Sequence, residues 1–176
     1  AGDNPASITI YYDIPIITSD LVIPSNVSLY FKENGKLSPA NHITLTINGN
    51  IFAGRWQIFG LSGTIELYNQ TEVYPEWFGA KHDGITDDTI VLQKCAESTK
   101  EGTIVLDIGE YIVNSQITIP KDVHFIGQGM DISVINAKGA SGIFPNAAVI
   151  YNTGSISSLS ANLASNINKG DTIITF

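Results

Sequence analysis

"YPEWFGAKHDGITDDT", residues 74–89, crowds the Trp77-Phe78 pair, a glycine turn and three aspartates into sixteen positions. Such density suits a catalytic carboxylate pair, a cation site, or a turn followed by a helix cap. The residues that follow favour the last. Thr86 can accept an N–H bond as N-cap, and Asp87 and Asp88 then sit where the positive end of a helix dipole favours carboxylates. Ile85 and Ile90 have the spacing of a hydrophobic staple. Val91, Leu92, Cys95 and Ala96 form an apolar face and Gly102 closes the segment, which predicts one short α-helix over about 86–99.

On both sides of this helix the chain reads as short strands between turn signals. "SITIYY", "DLVIP", "NVSLYF", "HITLTI" and "GTIEL" precede it; "TIVLDI", "EYIV", "QITIP", "DVHFIG" and "SVINA" follow. Continuous runs such as Ile104-Val105-Leu106 suit strands buried on both sides. Apolar positions recur at a period near 22: Leu29, Ile51 and Val73 (51 − 29 and 73 − 51), and Ile112 with Val134 (134 − 112). Val22, Ile43 and Ile65 follow at 21 and 22 (43 − 22 and 65 − 43). That period fits the rungs of a solenoid, each hiding its face against the next. A leucine-rich repeat has a similar length, but its Leu-x-x-Leu-x-Leu pattern is missing. "LVIPSNVSLYF" and "ITIPKDVHFIG" share a strand, a proline that ends ladder pairing, and a second strand, as expected at a rung corner. A lone amphipathic helix among such strands suits a lid over a solenoid core.

Composition narrows the class. The 176 residues are 43% hydrophobic and 15% charged, which argues for a packed core. Nine Lys and Arg against 17 Asp and Glu give a net charge of −8, so no nucleic-acid partner is expected. No apolar run reaches the roughly 18 residues of a membrane span, and no insertion is expected. The single cysteine, Cys95, reads as a small buried hydrophobe. "AGDNPAS" has no signal-peptide pattern. Asn26-Val-Ser28 and Asn69-Gln-Thr71 are sequons of little weight.

"WFGAKHDGITDDT" resembles the W-F-G-A-K-G-D-G-x-T-D-D-T signature that opens many pectate-lyase-like right-handed parallel β-helix proteins, phage tailspikes and capsule depolymerases among them. "EGTIVLDIGEYIVNSQITIPKDVHFIGQGMDISVI" is similar to the family's next segment, a strand pair, an I-x-I-P-x-x-V corner and a G-x-G turn. With the strand-rich leader, the resemblance covers residues 20–137. His82 stands where the second glycine of the turn is usual, a position where positive φ is expected. Asp107 and Glu110 replace the commoner Pro and Thr.

The resemblance implies an all-β fold, the start of a right-handed parallel β-helix. It would comprise a leader (1–79), a capping helix with the first rungs (80–154) and the beginning of an inserted loop or subdomain (155–176). The serine- and asparagine-rich tail, stopping at Phe176 mid-strand, suggests the N-terminal piece of a longer protein. By resemblance that protein binds and degrades bacterial surface polysaccharide as a homotrimer in a virion tail, with other tail proteins as further partners. A secreted bacterial lyase, hydrolase or epimerase, and a structural virion protein without activity, are the alternatives.

Site expectations follow from the residues. Glycosidases need two carboxyls about 5–9 Å apart across a cleft, and adjacent aspartates at a helix start diverge around its axis. Gly79, His82, Asp83, Gly84, Thr86, Asp87 and Asp88 are therefore assigned to turn and cap. Trp56, Trp77 and Phe78 are the candidates for stacking on sugar rings, with packing of the leader the favoured role for the pair at 77–78. Asp107, Glu110, Asp122 and Asp131 fall at turns, and Glu66 is a lone acid in a strand. No catalytic pair, metal site or cofactor is expected: His42, His82 and His124 lack metal-ligand spacing, and Gly127-Gln128-Gly129 has no helix after it.

Overall fold

A computed structural model describes residues 4–137, 149–152 and 173–175. Before the helix the chain alternates between two sheets. β1 (Ala6–Ile10), β3 (Val27–Phe31) and β5 (Ile51–Phe52) form one; β2 (Leu21–Ile23), β4 (Thr44–Ile47) and β6 (Thr64–Leu67) form the other. Beyond residue 70 it visits three sheets in turn. β7 (Glu72–Val73), β9 (Gly102–Val105) and β12 (Val123–Ile126) make the first. β8 (Asp83–Asp87), β10 (Gly109–Ile112), β13 (Ser133–Asn136) and β15 (Ile173–Thr175) make the second, and β11 (Ile117–Ile119) with β14 (Ile150–Asn152) the third. Every pairing is parallel except β13 with β15. The fold is all-β with one α-helix. No helix among the described residues is long and apolar enough to cross a membrane.

The register shows where the apparent period was right. Leu29 pairs with Ile51, an offset of 22 (51 − 29). Elsewhere the offset of the parallel pairs ranges from 20 (Leu45↔Ile65, 65 − 45) to 33 (Ile117↔Ile150, 150 − 117). Val22 lies beside Thr46 rather than Ile43, Ile112 beside Asn136 rather than Val134, and Val73 beside Ile104 in a different sheet from Ile51. Turns of unequal length shift the register, and an Ile-rich sequence supplies apolar residues near any period. Side chains of successive strands meet inside: Ile10, Leu29, Leu45, Leu67, Ile104 and Val123 belong to one buried cluster that crosses residue 79. A second cluster gathers Leu92, Leu106, Tyr111, Val113, Ile117 and Ile135.

α1 is Thr89–Ser98, shorter than 86–99 at both ends. Residues 83–87 are strand β8, and Asp88 N–H donates to the Ile112 carbonyl, so the backbone is held laterally until the helix begins. Asp88, not Thr86, is the N-cap residue; Ile85 and Ile90 are 86% and 66% exposed and form no staple. The helix ends at Thr99, whose N–H and hydroxyl both donate to the Cys95 carbonyl, while Gly102 opens β9. Leu92, Cys95 and Ala96 are fully buried as expected, and burial pushes the Cys95 thiol well above its ordinary pKa. The helix touches the Pro75–Phe78 turn, β6 and β11. β6 is the last strand described in its sheet, and α1 packs against both it and β11.

Free strand edges are closed by glutamine amides. Gln70 Oε1 accepts the Ile51 N–H at 3.2 Å, and its Nε2 donates to the Gly49 carbonyl at 2.7 Å, where β5 ends its sheet. Gln93 does the same for β11, accepting from Thr118 N–H at 2.8 Å and donating to Thr118 O at 3.3 Å. Each amide supplies the donor and acceptor that a neighbouring strand would have offered. The serine- and asparagine-rich tail expected to open an insertion lies outside the described residues apart from Ile173–Thr175.

Candidate functional site

Residues 74–89 fold inward. Pro75–Phe78 form a 3₁₀ turn ended by Gly79, whose φ of 99° suits glycine and whose N–H bonds the Glu76 carbonyl. Trp77 and Phe78 are 2% and 1% exposed. The indole N–H of Trp77 donates to the Gly54 carbonyl at 3.0 Å, and Phe78 packs on Phe59 with ring centroids 5.3 Å apart. Buried rings offer no face to a sugar. Trp56 is half-buried, its indole N–H tied to the Lys32 carbonyl at 3.2 Å.

The aspartates bind backbone. Both oxygens of Asp88, 1% exposed, accept N–H groups, from Lys81 at 2.8 Å and His82 at 3.0 Å. This clamps a turn in which His82 adopts φ 40°. Asp83 Oδ1 accepts from Ile85 and Thr86 N–H, and the Thr86 hydroxyl donates to its Oδ2. Asp87 accepts from the N–H and hydroxyl of Thr89. Gly84, at φ 72°, leaves room for the Glu110 carboxylate, which would lie 2.7 Å from a Cβ there. Burial, outweighing the two N–H donors, raises the pKa of Asp88. The N–H groups of Thr86 and Ile85 lower that of Asp83. For Asp87 burial acts upward, but bonds from Thr89 and Asn114 leave it lowered. Asp88 is the N-cap residue by position only, since its carboxylate is taken by the Lys81 and His82 N–H groups and makes no bond to the helix N–H groups.

A second cluster, unmarked in the sequence, is built around Glu76. This carboxylate is 4% exposed, on the 3₁₀ turn between Pro75 and Trp77. The Tyr111 hydroxyl donates to its Oε1 at 2.7 Å and in turn accepts the Asp107 N–H at 2.9 Å. Arg55 lies between two acids, 3.5 Å from Glu76 Oε2 and 3.6 Å from Asp107 Oδ2, with its guanidinium 4.3 Å from the centre of the Tyr74 ring. His82 Nε2 stands 3.7 Å from Glu76 Oε1. Burial raises the pKa of Glu76 in spite of Tyr111 and Arg55, and burial with the Glu76 charge pushes the Tyr111 hydroxyl far above its usual range. An acid amid buried aromatics and the only arginine of the chain were the available signals.

Glu76, His82 and Asp107 place one ligand atom each within 4.8 Å of one another, a spacing a metal ion could use and one the histidine spacing did not suggest. Arg55 already supplies positive charge to both carboxylates there. A chelator should therefore leave the melting temperature unchanged; a drop on adding EDTA, reversed by a divalent cation, would show an ion where Arg55 is assigned. A groove of about 360 Å³ runs along α1 between Ile90, Gln93 and Ser115, away from Glu76. The buried acid thus has hydrogen-bonding partners but no lining of that groove, and it acts as a polar tie between turn and sheet.

A family model described as "Rhamnogalacturonase A/epimerase, pectate lyase-like" matches residues 76–174, which is 99 of the 176 (174 − 76 + 1). The chain is 38% identical over 68 residues to the mannuronan C5-epimerase AlgE1 of Azotobacter vinelandii, covering 33% of this chain and 5% of that protein. It is 30% identical over 84 residues to depolymerase 1, capsule K30/K69-specific, of Klebsiella phage K5-2, covering 47% of this chain and 10% of that protein. The chain spans a tenth or less of these relatives. No solved structure matches it significantly.

Proposed function

Because the chain belongs to the rhamnogalacturonase A/epimerase, pectate lyase-like family, we propose that it is the N-terminal architectural and recognition segment of a phage tailspike-like protein that binds and degrades bacterial surface polysaccharide. On this reading the parallel stack is the start of a right-handed parallel β-helix, divided into a leader (1–79), helix and first rungs (80–154) and an insertion beginning at 155. The full-length protein is a homotrimer in a virion tail. Similarity to the Klebsiella phage depolymerase supports the phage setting. Similarity to the Azotobacter epimerase supports the second reading, a secreted bacterial enzyme.

One observation carries the architectural role. The acids and aromatics of the 74–89 stretch described above are engaged in packing, in holding backbone N–H groups or, for Glu76, in buried bonds to Tyr111 and Arg55. General acid–base work on a glycosidic bond needs two positioned carboxyls facing a cleft, one of tuned pKa. Glu76 is tuned but enclosed. The 176 residues alone should therefore release no reducing ends or unsaturated products from capsular polysaccharide or mannuronan, whereas the full-length protein should. Turnover by the isolated chain that vanishes in Glu76→Gln or Asp107→Asn would overturn this reading. Light scattering that finds the full-length protein monomeric would favour the secreted enzyme.

A further inference from the structure

The outer face of the β1–β3–β5 sheet differs from the rest of the surface. In parallel register Ser7 lies beside Ser28, Thr9 beside Tyr30, and Tyr30 beside Phe52. Ile10, Val27, Leu29 and Phe31, which alternate with these residues, are buried in the core, and Ile8 on the same side is 47% exposed, so Ser7, Thr9, Ser28, Tyr30 and Phe52 share the outward side. Tyr30 and Phe52 stack with centroids 4.6 Å apart and planes 12° from parallel, yet remain 41% and 46% exposed. No outward residue of the three strands carries a charge, on a chain whose net charge is −8.

From this face we infer a binding surface for a polysaccharide chain, with pyranose rings packed on the Tyr30–Phe52 stack and their hydroxyls bonded to Ser7, Thr9 and Ser28. The inference rests on the polysaccharide reading above and adds a site to it. Among the described residues β5 is the last strand of its sheet, closed edgewise by the Gln70 amide, and no further strand of that sheet lies on the far side of Phe52. Aromatic rings give a large, rigid contact at small entropic cost, and neighbouring hydroxyls supply both donors and acceptors. Charge selects the occupant. An acidic polymer is repelled by carboxylate-bearing surface but meets no like charge on this face.

The test is electrophoresis of the 176-residue chain through gels containing mannuronan, K30 capsule or K69 capsule, the polymers named for the two relatives. Retardation by one of them is expected. Tyr30→Thr with Phe52→Thr should weaken it about tenfold or more, the scale of losing a central aromatic contact. Phe52→Tyr and the remote exposed change Ile85→Ser should not. Equal melting temperatures for the variants exclude a folding effect. Retardation unaffected by the double change overturns the surface and leaves the polysaccharide reading intact, as does absence of retardation when the full-length protein still cleaves one polymer. Neither retardation nor cleavage overturns both. A native dimer that becomes monomeric in the double variant would assign the face to self-association instead.

Discussion

Trp77→Ala should lower stability by about 3–5 kcal/mol, the range for deleting a large buried aromatic, and the melting temperature by roughly 10 °C or more. The ring is 2% exposed and meets Tyr74 edge-on, with centroids 5.1 Å apart. Its indole N–H also holds the Gly54 carbonyl. The Trp77 carbonyl accepts both Ile58 and Phe59 N–H groups, but alanine keeps that carbonyl, so the loss belongs to the side chain. Trp77→Phe would refill most of the volume and forfeit only one hydrogen bond, worth about 1 kcal/mol. Thermal unfolding of the two variants separates the roles. A sugar platform would lose binding at nearly native stability, whereas a core anchor loses stability in this order. A nearly native melting temperature for Trp77→Ala would sink the anchor assignment.

That anchor was legible in the sequence because local chemistry marks it: a proline opens the turn, a glycine closes it, and two aromatics lie between. Cys95, Leu92 and Ala96 were equally legible, since helical spacing fixes which face is buried. The cap was misplaced for a nonlocal reason. "ITDDT" satisfies the rules for a helix start, but β8 pairs with β10 at Asp83 and Asp87, with a bulge between them, and this lateral hold moves the start to Thr89. Ile85 and Ile90 then face solvent, because a staple needs both residues on the helix's own entry path. The Glu76 cluster lay further from reach. Its members are 35 residues apart for Glu76 and Tyr111, and 21 for Arg55 and Glu76, separations set by how the circuits stack. No local spacing encodes such a meeting.

The same division explains the acids. Those that bind backbone within a few residues, Asp83 and Asp87, have lowered pKa values. Glu76 and Asp88, which the stack buries, have raised ones. These two sets act oppositely on stability. A raised folded-state pKa means the folded chain binds more protons, so that contribution is full below the unfolded pKa and is lost as pH rises through the folded one. A lowered pKa gives stability present above the unfolded value and lost as pH falls through the folded one.

Glu76 and Asp88 therefore govern how this fold responds as pH falls from neutrality into the acid range. From the ordinary value of 4.5 upward to its raised folded value, the contribution of Glu76 declines, and Asp88 follows from 3.8. Native stability should rise as pH falls through the raised folded value of Glu76 towards 4.5, then drop at lower pH as Asp83 and Asp87 lose their bonds. Glu76→Gln keeps an acceptor for Tyr111 and cannot ionise, so it should flatten the rise, leaving the share due to Asp88. Glu76→Ala removes the acceptor, leaves the Tyr111 hydroxyl without its carboxylate and takes one partner from Arg55. Loss of one member of a fully buried pair costs about 3–5 kcal/mol. Arg55 is 33% exposed and keeps Asp107, so about 2–3 kcal/mol at pH 7 is expected. Melting curves from pH 4 to 8 on the native chain and both variants check this. If the native chain gains no stability on acidification towards pH 4.5, or Glu76→Gln keeps the full native slope, the buried carboxylate is not the group that titrates.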